Sequence, residues 1–211
     1  MIKEVFRANI ATSATWVFGG GQNPVNLDTH DSQSAAQMPT IAAGIISDIA
    51  EVLRFLKETP FDQTRSFQDV TTLMVSTEFA RTMRQTFTDF ERSGNDHNPL
   101  NNSIILAGKG IAGGQVIGQS NFRTEEEIAA GAQGAHMAMD SMGLTTMGKV
   151  FSYSDGSISD SMPETYTIGD YLNINAVVNS LYTAFDVSPS LQRTNDRNGP
   201  PAPVVPGLLA E

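Results

Sequence analysis

Apolar residues in this chain follow two different patterns. From Pro39 onward, isoleucines and leucines recur every three or four residues as far as Leu56, which predicts an amphipathic helix that begins at Pro39 and ends at Thr59-Pro60. Short continuous apolar runs instead predict strands, and they read IATSATWVF at 10–18, VTTLMVS at 70–76 and SIILAG at 103–108. The alternation of strand and helix patterns predicts the α/β class.

The second half of the chain adds two helices and a tail. Thr124 and Glu127 form a capping-box pattern that opens a predicted helix ending near Met142, and YLNINAVVNSLYTAFDV at 171–187 has the spacing of another. The glycine-rich stretch GKGIAGGQVIG at 108–118 predicts a tight reversal into a further strand. The proline-rich end, residues 195–211, predicts an extended segment along the surface.

Composition and charge limit the function classes. The chain has 211 residues, enough for one domain with a substantial core. Its 13 Lys and Arg against 23 Asp and Glu give a formal net charge of -10, so we expect no nucleic-acid partner. No run approaches the length of a membrane span, and residues 1–18 make a poor signal peptide. Cysteine is absent, so a metal site must use carboxylate, imidazole, amide or backbone ligands.

Three segments concentrate such ligands. Asp28 and His30 lie in LDTHDSQ, Glu78 follows a predicted strand, and Asp96 and His97 lie in SGNDHNPLN. Carboxylate with imidazole is a ligand set for zinc, manganese and similar divalent ions, and separate segments can converge on one ion. Each segment also has a plainer interpretation. The aspartates can form side-chain-to-backbone turns, and Glu78 can pair with Arg81 or Arg84.

The order of these segments resembles a bacterial family of sulfatase-like proteins of unknown function in the alkaline phosphatase superfamily. The residues that carry the resemblance lie between positions 25 and 120, in LDTHDSQ, TTLMVSTEFARTMR and GNDHNPLNNSIILAGKGIAGGQVIGQS, and again from 167 to 209. Residues 121–166 have no counterpart in the family and are interpreted as an insertion into a single domain. The chain is similar to the C-terminal part of such a protein.

The resemblance implies an α/β sandwich, with a central sheet flanked by helices, that hydrolyses phosphate or sulfate esters. It implies a divalent metal (Zn, Mn, Mg or Ca) held by Asp28, His30, Glu78, Asp96 and His97, with Arg81 binding an anionic small-molecule ester. The nucleophile would lie in a missing N-terminal half, so we expect the isolated chain to be inactive and a full-length parent to be periplasmic or secreted. A non-catalytic scaffold that binds an anion, a glycan or a protein partner is the alternative.

Overall fold

A computed structural model gives the fold. The residues that it describes are 2–8, 11–17, 32–77, 80–81, 97–98, 101–122, 146–160, 171–187 and 202–210. Over these residues the protein is a mixed α/β structure with a few helices and small antiparallel sheets, which confirms the predicted class. The described residues up to Thr71 form one compact unit, and those from Thr72 onward form a second.

The first unit is helical. Helix α1 spans Ile2–Arg7 and helix α2 spans Ser32–Glu58. The predicted end of α2 is confirmed, but its predicted start is wrong, because Pro39 lies inside the helix rather than in its first turn. The helix tolerates a proline there although the ring removes one N–H donor from the hydrogen-bond ladder.

Four phenylalanines hold the first unit together at the carboxyl end of α2. Phe67, in a short 3-10 helix at Phe67–Asp69, is buried and lies between the rings of Phe55 and Phe61, with both ring centroids 5.5 Å away. Phe6 of α1 lies on the same cluster, 6.5 Å from Phe67. Aromatic pairs at these separations add to the stabilisation that burial gives, so this cluster fixes the turn after α2.

The loop that carries Phe61 is organised by an aspartate. Asp62 Oδ1 accepts hydrogen bonds from the backbone N–H groups of Thr64 and Arg65, at 2.9 and 2.8 Å. Its Oδ2 accepts from the Arg65 guanidinium, which also lies over the Phe61 ring. These donors, first the Thr64 amide and then the Arg65 side chain, lower the pKa of Asp62 well below its ordinary value.

The second unit contains the described strands, which form four two-stranded antiparallel sheets. Strand β1 (Thr72–Ser76) pairs with β4 (Ile104–Gly108), and β2 (Ala80–Arg81) pairs with β3 (His97–Asn98). The two remaining pairs are β5 (Ser120–Phe122) with β6 (Thr146–Gly148) and β7 (Val150–Phe151) with β8 (Ile158–Ser159). The strands predicted at 70–76 and 103–108 are therefore confirmed.

Helix α3 (Ile174–Ala184) supplies one wall of the core of the second unit. Its N-cap is Asn173, whose side chain accepts a hydrogen bond from the Ala176 N–H at 3.0 Å. This confirms the helix predicted within 171–187 and gives its start. The core residues are all apolar and come from β7, α3 and the end of the chain: Phe151, Ala176, Val177, Val205 and Leu208.

The C-terminal segment contributes to the core instead of lying along the surface, so that prediction is wrong. The Leu208 N–H donates to the Val205 carbonyl, and Gly207 between them has φ of +73°. Proline followed by glycine with positive φ is the signature of a type II turn, and this turn brings Val205 and Leu208 into the core, 2% and 8% exposed. Backbone hydrogen bonds then join the segment to the glycine-rich loop, from Ala112 N–H to Leu208 O and from Ala210 N–H to Gly110 O.

Two other predictions have different outcomes. Residues 11–17 contain neither helix nor strand, and Trp16 and Val17 are exposed, so the strand predicted at 10–18 is wrong over these residues. The helix predicted at 124–142 lies outside the described residues. The sandwich, the single domain and the insertion at 121–166 stay predictions.

Candidate functional site

Two of the six predicted site residues have a described backbone, and they lie opposite each other. Arg81 in β2 and His97 in β3 are direct partners in the antiparallel register, next to the pair Ala80 and Asn98. Directly opposite positions share one face of such a ladder, with Cβ atoms typically about 4.5–5.5 Å apart. The position predicted to bind an anion and one predicted to bind a metal are therefore neighbours.

The other four predicted residues, Asp28, His30, Glu78 and Asp96, lie outside the described residues. Within the described part of the chain, three or more His, Asp and Glu residues do not gather in any arrangement that could hold a metal ion. The five-ligand site therefore stays a prediction from the sequence.

The two ladders formed by β1 with β4 and by β2 with β3 differ in register. Strand β1 pairs antiparallel with β4 with Ser76 opposite Ile104, and β2 pairs antiparallel with β3 with Ala80 opposite Asn98. Between the two ladders lie three residues on one side, 77–79, and five on the other, 99–103. The register of the second ladder is therefore shifted by two residues relative to the first.

Two asparagines, Asn101 and Asn102, form hydrogen bonds to the residues that follow β1 and begin β2. The Asn102 side chain donates from Nδ2 to the Thr77 carbonyl at 2.7 Å, and its Oδ1 accepts from Thr77 Oγ1 at 2.6 Å. The Ala80 N–H donates to the Asn101 carbonyl at 3.2 Å. Asn98, beside His97, is fully buried. Sequence reasoning missed these residues, and their only signal was the density of asparagine in NPLNN at 98–102.

The carboxyl end of β4 leads into the glycine-rich loop. Gly108, Gly110 and Gly114 all have positive φ, so the loop needs residues without a side chain for its turns. Gln115 connects this loop to the C-terminal segment, donating from Nε2 to the carbonyls of Ala112 and Gly207. The loop therefore has a structural role, as the sequence indicates by lacking the Lys-Ser/Thr ending of a phosphate loop.

Membrane insertion has no support in the described residues. None of the helices there is both long enough and apolar enough to cross a bilayer. This agrees with the absence of a long apolar run in the sequence.

Over the described residues the protein is thus mixed α/β, and its strand pairing makes two predicted site residues, Arg81 and His97, direct partners. A family model described as "Protein of unknown function (DUF1501)" matches residues 17–132, more than half of the chain. The chain belongs to this family. A search of curated proteins and a search of solved structures both found no match.

The family match corrects the identification made from the sequence. It carries no sulfatase or alkaline phosphatase signal, and the family it defines has no known function. The resemblance to sulfatase-like proteins of the alkaline phosphatase superfamily is therefore wrong as an identification. The matched region does include the three ligand-bearing segments, so any function must be argued from the residues themselves.

Proposed function

We propose that this chain binds a divalent cation through Glu78 and His97 and an anionic phosphate or sulfate ester through Arg81, as a metal-dependent ester hydrolase-like domain. The observation that carries the proposal is the register of β2 and β3, in which Arg81 is the direct partner of His97. Glu78 lies three residues before Arg81 in the sequence. The pairing thus makes the guanidinium-bearing and imidazole-bearing positions neighbours, and the carboxylate-bearing position is close to Arg81 in the sequence.

The residue types suit this chemistry. Imidazole with carboxylate favours zinc or manganese, and magnesium or calcium would need more oxygen ligands. Asp96 precedes His97 and is a further candidate ligand, while Asp28 and His30 stay predictions from the sequence. A bound divalent ion would polarise an ester oxygen and lower the pKa of a coordinated water. Arginine matches the planar geometry of an oxyanion better than lysine does. We assign no nucleophile to this chain.

The same register also favours a second candidate function, a non-catalytic scaffold that binds an anion without a metal. Arginine opposite histidine places two groups that can both be cationic on neighbouring positions. Such a pair would bind phosphate or sulfate directly, and more tightly at low pH, where histidine is protonated. The two functions differ in whether anion binding requires the ion.

Calorimetric titration of the chelator-treated chain with Mn²⁺ and Zn²⁺, followed by inorganic phosphate, tests the proposal. We expect His97→Ala and Glu78→Gln to weaken ion binding by more than the roughly 10- to 100-fold typical of losing an outer-shell partner. Arg81→Ala should weaken phosphate binding and leave ion binding nearly intact. His136→Ala is the matched control, because it removes the one histidine of the chain that is not among the predicted ligands.

Each outcome decides between the candidates. Ion binding that survives both His97→Ala and Glu78→Gln would refute the metal site. Phosphate binding that needs Arg81 but persists in excess chelator would establish the anion-binding scaffold instead. Hydrolysis of a chromogenic phosphate or sulfate ester, dependent on the added ion and lost in His97→Ala, would show turnover.

A further inference from the structure

The chain contains one Asp-Gly sequence, Asp155-Gly156, and it lies in the loop of the hairpin formed by β7 and β8. The Asp155 residue is exposed. The Gly156 N–H donates to the Ser152 carbonyl at 2.8 Å, and the Ser152 N–H donates to the Ser157 carbonyl at 2.9 Å. Gly156 has φ of +77°, so the turn favours glycine directly after the aspartate.

Asp-Gly is the sequence in which an aspartate reacts most readily with its own backbone. The nitrogen of the glycine attacks Cγ of the aspartate, water leaves, and a cyclic succinimide forms. Glycine has no Cβ to obstruct this attack. Water then opens the ring at either carbonyl and gives back aspartate or gives isoaspartate, in which the main chain runs through the side-chain carboxyl carbon. The product has the same atoms as the starting chain, so the reaction needs only water.

Hydrogen bonds of the folded hairpin oppose each requirement of this reaction. The attacking N–H of Gly156 is already donated to the Ser152 carbonyl. The carboxylate is held as well, because Asp155 Oδ1 accepts from the Ser157 N–H at 3.0 Å. The Ser152 hydroxyl, and after it the Ser157 N–H, lower the pKa of Asp155, which keeps the carboxyl in the ionised form that loses water poorly.

We propose that Asp155-Gly156 is a modification site, at which isoaspartate forms spontaneously when the hairpin opens and is suppressed while the hairpin is closed. Isoaspartate adds one main-chain carbon between two strands that are paired in a fixed register, with Phe151 opposite Ile158. Phe151 is buried and belongs to the core, so the modification would loosen the hairpin where it supplies a core residue. This proposal does not depend on the proposed ion site.

The test compares isoaspartate formation at residue 155 in the folded full chain, in the same chain unfolded in urea and in a synthetic peptide of residues 150–160. An isoaspartyl methyltransferase quantifies the product, and peptide mapping by mass spectrometry locates it. Ring closure in the folded chain must wait for the hairpin to open, so we expect it to be slower by about tenfold or more. Incubation of the peptide with and without urea corrects for the denaturant. Asp155→Glu should not react, because its ring would need an additional member.

A serine variant tests the hydrogen bonds themselves. Ser152→Ala removes the hydroxyl bonded to the Asp155 carboxyl and keeps every backbone donor and acceptor. It should raise the rate several-fold in the folded chain and leave the rate in the unfolded chain unchanged. Ser103→Ala is the matched control, because it removes the hydroxyl of an exposed serine that precedes β4 and lies outside the hairpin. It should react at the rate of the parent chain.

The outcomes decide the proposal. A folded chain that reacts as fast as the peptide would overturn it, and so would a peptide that forms no isoaspartate. Equal acceleration in the two serine variants would mean general loosening and would overturn the role given to the hairpin. Slow reaction in the folded parent chain, with faster reaction in Ser152→Ala and not in Ser103→Ala, would establish the site.

Discussion

The close approach of the glycine-rich loop to α3 gives a sharp stability prediction. A Cβ atom built on Gly110 would lie 2.9 Å from the Cβ of Ala184, the last residue of α3. Non-bonded carbons prefer about 3.5–4.0 Å, so either the loop or the helix end must move. Gly114, in the same loop, has the same φ of +76° but nothing within 4 Å of the position of its Cβ.

Comparison of the two glycines separates backbone strain from steric overlap. Gly114→Ala should cost about 1–2 kcal/mol, the price of left-handed backbone in a residue with a side chain. Gly110→Ala has this cost as well as that of overpacking, about 1–3 kcal/mol, so it should be the more destabilising variant by that amount. Any gain from a stiffer unfolded chain is common to both and cancels in the comparison.

Urea unfolding followed by far-ultraviolet circular dichroism measures both free energies. Ala184→Gly removes the opposing methyl group, so the double variant Gly110→Ala/Ala184→Gly should be more stable than the sum of the single effects by about 1–3 kcal/mol. Equal losses in Gly110→Ala and Gly114→Ala, or additivity in the double variant, would show that the close approach does not limit the loop.

Two further predictions concern single side chains. Ser180 is fully buried and its Oγ accepts from the Val205 N–H at 2.8 Å, so Ser180→Ala should destabilise the chain by about 1–3 kcal/mol in urea unfolding, since it leaves a buried donor unpaired. Thr183→Ala, which loses only a bond to the Asn179 carbonyl within the same helix, should stay within about 0.5 kcal/mol of the parent, and equal effects would contradict this reasoning. The lowered pKa of Asp62 means that its contribution to stability is complete above its unfolded value, near 3.9, and is lost as the pH falls through the lower folded value. Asp62→Asn should therefore flatten the acid limb of a stability profile measured between pH 2 and 6, and an unchanged slope would refute the assignment.

The elements that were predictable from the sequence are those whose pattern has a local cause. VTTLMVS and SIILAG are short apolar runs that end at polar or glycine residues, and both form strands. The three- and four-residue spacing found most of α2 and all of α3. The exact start of each helix depended on caps and on the tolerance of Pro39, which spacing does not reveal.

The wrong predictions concern segments whose composition fits both a buried and an exposed environment. IATSATWVF has the β-branched content of a strand, but residues 11–17 form neither helix nor strand, and Trp16 and Val17 are exposed. The proline content of residues 195–211 predicts a surface segment. Its Pro206-Gly207 turn instead delivers Val205 and Leu208 to the core, since a turn of four residues can bury both of its ends.

The candidate site was predictable only in its residue types. Ligand chemistry points to Glu78 and His97, and the resemblance points to Arg81. That Arg81 and His97 are neighbours follows only from the pairing of β2 with β3, a contact between distant parts of the chain. The hydrogen bonds between Asn102 and Thr77 likewise join residues 25 positions apart, which no local pattern predicts. Which site residues become neighbours therefore depends on strand pairing between distant parts of the chain, and sequence patterns do not reveal this pairing.

The magnitudes of these effects allow the stability tests and the binding tests to be interpreted separately. Domains of this size are stable by about 5–15 kcal/mol, so a variant that loses 1–3 kcal/mol remains almost wholly folded. Apparent affinity falls only in proportion to the folded fraction, which is then a negligible change. A tenfold loss of Mn²⁺ affinity in His97→Ala would thus report the loss of a ligand and not partial unfolding. Gly110→Ala alters the loop that follows the carboxyl end of β4, where Gly110 approaches Ala184. It should therefore lower the stability of the chain without lowering its affinity for the ion.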